Sequence, residues 1–108
     1  MQKSITLIFA GAITLAGSSL YAQKGDAAKG KDAFADNCSV CHNSDSTDAK
    51  IGPGLKGLFK KAKLNSGKSV TDANVLIQIN EGGNGMPPYK DVLSDAEKAN
   101  VMAFLKTL

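Results

Sequence analysis

The chain has no arginine, no tryptophan, one histidine and two cysteines. A zinc site of four Cys or His ligands cannot be assembled from so few. With neither arginine nor a second histidine, the usual acid–base groups for peroxide chemistry are absent as well. The formal charge of +3 falls by one if Lys3 is removed with the N-terminus. That is too mild for a nucleic-acid surface. No strand pattern, internal repeat or low-complexity run stands out. Beyond residue 22 the aromatics are Phe34, Phe59, Tyr89 and Phe104. A domain this small and this poor in large side chains is marginal unaided, and something else is expected to supply core.

The N-terminal segment "MQKSITLIFAGAITLAGSSLYAQ" carries Lys3 and then no charge up to Gln23. Its apolar centre, Ile5 to Leu15, runs into small residues and ends at Ala22, the layout of a secretory signal peptide. Residues 1–22 are therefore expected to be removed, leaving one domain over 23–108. An uncleaved anchor is the alternative, but Gly11, Gly17, Ser18 and Ser19 dilute a stretch barely long enough to span. A lipid anchor would need a cysteine where Ser18 stands.

Both cysteines and the histidine fall in "CSVCH", Cys38 to His42. Export makes a disulfide conceivable, but a bridge closing so small a loop stabilises little. A thioredoxin-like redox pair calls for neighbouring strands. The haem c attachment signal, C-x-x-C-H, uses all three residues at once. Cys38 and Cys41 would join the two vinyl groups, and His42 would ligate the iron. One covalently held haem would also fill the missing core.

A second axial ligand cannot be histidine. Met86 lies in "EGGNGMPPYKD", where Gly82, Gly83 and Gly85 permit unusual backbone angles and Pro87 and Pro88 stiffen the backbone on the other side. That is a shaped loop presenting a thioether. Its bland alternative is a methionine filling a gap. Met102 sits instead beside a helical stripe of Val101, Phe104, Leu105 and Leu108, and reads as packing.

The expected fold is all-α, three to four helices around one covalently attached haem. A first helix spans about Ala27 to Asn37 with Asp26 as N-cap. Gly30 within it implies a closely crossing helix, through Phe104, or is simply tolerated. A second lies within Ser69–Gly83, capped by Thr71 or Ser69, with Val75, Leu76 and Ile79 inward. Ser94 and Glu97 form a capping box for the last. Leu55, Leu58 and Phe59 suit either a haem pocket or ordinary core.

These motifs together resemble a class I c-type cytochrome, of the small monohaem bacterial or photosynthetic type. "GKDAF", "CSVCH", "GPGLKGLF" and "NGMPPYKDVLSDAEKANVMAFL" are similar to that family's segments in order. The resemblance implies the cytochrome c fold, and that the Pro53 carbonyl accepts the His42 N–H.

Outer-sphere transfer of single electrons between redox proteins is then expected, with no enzymatic step on iron. The alternatives are an electron-accepting haem subunit of a periplasmic dehydrogenase and a sensor or peroxidase with a labile sixth ligand. Lys56, Lys60, Lys61, Lys63, Lys68 and Lys90 would steer an acidic partner if they converge, or form only a solvated face. The expected location is the periplasm, or the thylakoid lumen in a photosynthetic source. A monomer is expected, without nucleic acid and without membrane contact after signal removal.

Overall fold

Asp26 begins the first helix by accepting hydrogen bonds from the Ala28 and Lys29 amides, two of the donors a helix start leaves unpaired. The structure is a computed structural model that describes residues 24–108. The signal segment expected over residues 1–22 lies outside the described residues. Helix α1 runs Ala27–Asn37, and a short 3-10 turn covers Leu58–Lys60. Helices α2, Asp72–Glu81, and α3, Asp95–Leu105, complete the set. Among the described residues there are isolated β-bridges and no strands, so the expected all-α architecture holds.

The caps decide the boundaries. Thr71, rather than Ser69, caps α2, its hydroxyl accepting the Asn74 amide at 3.1 Å. Ser69 contributes only a carbonyl, which accepts from the Asn74 side chain at 3.0 Å. At α3 the capping box is complete, with Ser94 Oγ taking the Glu97 amide and Glu97 Oε1 taking the Ser94 amide. Leu108 lies beyond the helix end but still packs on the core, half-buried.

The core forms where α1 crosses α3. Phe34, Val101, Met102, Phe104 and Leu105 are buried there, and the Phe34 and Phe104 rings tilt at 58° with centroids 5.3 Å apart. Gly30 lies directly against the Asn100 carbonyl and the Phe104 Cβ. Its cost in helix propensity, about 1 kcal/mol, is offset by this close approach. The Asp26 amide adds a hydrogen bond to Asn100 Oδ1 at 2.8 Å. Helix α2 adds the buried Val75 and Ile79 to the same core, and the Lys106–Asp72 ion pair joins the start of α2 to the end of α3 at 2.6 Å. That pair is half-exposed and adds little.

A methyl group at residue 30 would strike backbone that cannot move without separating the helices. Gly30→Ala is therefore expected to destabilise the protein by about 2 kcal/mol despite its better helix propensity. Guanidinium unfolding checks this, and an unchanged midpoint would mean the crossing is looser than described.

Candidate functional site

Beyond α1 the chain turns tightly. The Cys38 amide bonds back to the Phe34 carbonyl, and the Cys38 carbonyl accepts from both Cys41, at 3.1 Å, and His42, at 2.9 Å. This coil brings Cys38, Cys41 and His42 into the lining of one cleft of about 300 Å³. Both thiols are free. Burial, with a smaller contribution from the neighbouring Cys41, pushes the Cys38 thiol up to about 11.

The imidazole of His42 is held from behind. His42 Nδ1 lies 2.7 Å from the Pro53 carbonyl oxygen. A carbonyl can only accept, so Nδ1 carries the proton and donates, leaving the Nε2 lone pair free in the neutral ring. Gly52 lies flat against the same ring. A Cβ there would come within 3.0 Å of Nε2 and 2.9 Å of Nδ1. The Gly52 amide in turn donates to the Cys41 carbonyl at 2.7 Å, which locks the two segments together.

Met86 enters the same cleft from the loop between α2 and α3. Gly83 and Met86 exchange two backbone hydrogen bonds, closing a tight turn. Within it Asn84 has φ 52° and Gly85 φ 90°, the left-handed backbone that glycine and asparagine supply at least cost. The Gln78 amide group donates to the Gly82 carbonyl at 3.1 Å and lies 3.7 Å from Met86 Sδ. Tyr89, also in the cleft lining, donates its hydroxyl to the Asn37 carbonyl at 3.0 Å.

Most of the remaining wall is apolar. Leu55, Leu58, Leu64, Val75, Ile79 and Leu105 line it. Phe59 does not; it packs on the core, with the Lys106 ammonium 5.7 Å from its ring centre. The six lysines singled out in the sequence are all exposed, but only Lys61 and Lys63 border the cleft. Sequence reasoning overlooked Gln78, Gly52 and Tyr89 as parts of the site. Gln78 alone had a signal, a polar residue three positions from Val75 on the inward face of α2.

An apolar cleft lined by two thiols, an imidazole with a free Nε2 and a thioether suits a covalently attached haem. It does not suit a bare ion, since among the described residues no three His, Cys, Asp or Glu side chains could hold one together. Helical fold and donor set together define a class I c-type cytochrome. Residues 25–105 match the family described as cytochrome c oxidase, cbb3-type, subunit III. A cytochrome c6 from Synechocystis sp. is 34% identical over 99 residues, covering 92% of this chain and 78% of that one. One from Picosynechococcus sp. is 31% identical over 109 residues, covering 97% and 92%. The solved cytochrome c6 of the diatom Phaeodactylum tricornutum matches with a TM-score of 0.62 at 29% identity, over 77% of this chain and 93% of its own. The chain belongs to this family of small monohaem c-type cytochromes, with one covalently bound haem c.

Because Gly52 leaves no room against the His42 ring, Gly52→Ala is expected to displace the imidazole and destabilise the haem-loaded protein by about 1–3 kcal/mol. Guanidinium unfolding would measure the loss, and shifted haem-methyl resonances of the oxidised protein would report the reoriented ring.

Proposed function

We propose that this electron carrier bears its haem on Cys38 and Cys41, with His42 and Met86 as axial iron ligands. It would work as a monomeric, diffusible protein of the periplasm, or of the thylakoid lumen in a photosynthetic source. The observation that carries this reading is that His42, its Nδ1 bonded to the Pro53 carbonyl, and Met86 line one largely apolar cleft with both cysteines. The bound group supplies a one-electron Fe(III)/Fe(II) couple, and the chain's own residues set its energy and access.

Pro53 fixes the plane of the imidazole and raises its basicity by accepting the Nδ1 proton in a hydrogen bond. Met86 supplies a soft neutral donor, which favours the reduced state relative to a second imidazole. The Gln78 N–H directed toward that sulfur draws electron density from it and works in the same direction. The apolar lining disfavours the more highly charged oxidised state, again raising the potential. With His42 and Met86 both holding the group, it would serve electron transfer rather than substrate binding.

Partner encounter falls to the cleft border. Lys61 and Lys63 lie there, with Lys56, Lys60, Lys68 and Lys90 exposed. A cationic rim steers an acidic redox protein by raising the rate of encounter more than the final affinity. A second reading, a haem module held by an enzyme, is favoured by the matched family's description as an oxidase subunit. It uses the same site residues and differs only in partner affinity. Purification from the native source separates the two: an isolated protein supports the carrier, a stable co-purifying enzyme the module.

Two outcomes test the proposal. The oxidised wild-type protein should show low-spin bands with a sulfur-to-iron charge-transfer band that Met86→Ala abolishes; a high-spin wild type that readily binds carbon monoxide would overturn the ligand assignment. Lys61→Glu with Lys63→Glu should slow bimolecular electron transfer to an acidic partner roughly tenfold at low salt, with the difference fading as salt rises. Stopped-flow rates across an ionic-strength series check this.

A further inference from the structure

We propose that Tyr89 is a positioning residue for the sixth ligand: its hydroxyl ties the loop bearing Met86 to the segment bearing Cys38, Cys41 and His42. The proposal rests on the reading of Met86 as an iron ligand. Asn37 is the last residue of α1 and directly precedes Cys38. Its carbonyl belongs to the last turn, where a helix leaves acceptors without internal partners. Neighbouring acceptors there are taken locally, Phe34 by the Cys38 and Ser39 amides and Ala35 by the Ser39 hydroxyl. The Asn37 carbonyl is taken by Tyr89 at 3.0 Å, across 52 positions of sequence.

The rest of the loop exit is secured elsewhere. The Tyr89 amide donates to the Ile79 carbonyl at 2.9 Å and the Lys90 amide to the Asn80 carbonyl at 3.2 Å, both on α2. The buried Lys98 of α3 donates its ammonium to the Lys90 carbonyl at 2.8 Å. Among the described residues, no other hydrogen bond joins residues 82–93 to residues 24–53. The phenol oxygen is thus the one directional tie between the two ligand-bearing segments that does not pass through the iron. Packing alone is non-directional and tolerates small slips. A hydrogen bond across the gap would hold Met86 close to the site of the bound group and disfavour an outside ligand in its place.

Imidazole binding to the oxidised haem tests this, since imidazole competes with Met86 for iron. Tyr89→Phe removes one oxygen and keeps the ring, so the fold stays intact. It is expected to bind imidazole about two- to tenfold more tightly than wild type, the range set by one net hydrogen bond. Val101→Ala, deep in the α1–α3 core, serves as a control for general destabilisation: it should lower the melting temperature and leave imidazole affinity nearly unchanged. A Tyr89→Phe affinity equal to wild type, or raised no more than in Val101→Ala, overturns the tie while leaving Met86 as ligand. A wild type that lacks the sulfur-to-iron charge-transfer band overturns both together.

Discussion

The close crossing of α1 over α3 at Gly30 sets the frame that everything else in the molecule needs. Helix α1 delivers the chain directly to Cys38, and α3 begins soon after the Met86 loop. The contact between these two helices therefore fixes where the chain leaves α1 for Cys38 and where it enters α3 after the Met86 loop. Gly30 against the Asn100 carbonyl, the Phe34–Phe104 ring pair and the Asp26–Asn100 hydrogen bond all act at this one contact. Close packing makes such a contact stiff, because neither backbone can give without opening a void elsewhere.

Three polar groups of the cleft lining meet specific partners. Pro53 orients the imidazole, Gln78 approaches the sulfur, and Tyr89 spans from the methionine loop to the end of α1. The Gln78 and Tyr89 bonds are part-buried, where a hydrogen bond is worth more than in water and costly to leave unmade. The same few groups thus serve stability and the energy of the iron site together. A small domain with only four described aromatics has little other core to draw on, which makes the covalently held haem part of the fold as well as the reactive centre.

The lysines divide in a way their spacing in sequence conceals. Six lie exposed over residues 56–90, yet only Lys61 and Lys63 reach the cleft border. A similar division separates Leu55 and Leu58, which line the cleft, from Phe59, which turns to the core beside Lys106. Neighbours along the chain take different surroundings because the 3-10 turn at Leu58–Lys60 rotates successive side chains by about a third of a turn each.

Much of this protein was legible in the residues themselves. The helix starts at Asp26 and Ser94 rest on side chains bonding to their own local backbone, so their position is written where they act. The stripe of Val101, Phe104 and Leu105 comes from helical period, and the Cys38–His42 motif is compact enough to be read without a fold. Even the candidacy of Met86 came from local chemistry, glycines on one side and prolines on the other. Gly52, Gln78 and Tyr89 were beyond such reading. Tyr89 acts on a carbonyl 52 positions away, and Gly52 and Gln78 act on groups ten and eight positions away across loops whose path the residue types do not encode. By itself the sequence determined which helices form and which donors are available. Only the tertiary structure decided which atoms stand behind those donors, because the folding of the loops after Cys41 and after α2, and the 52-position reach of Tyr89 to the end of α1, bring the supporting groups to them.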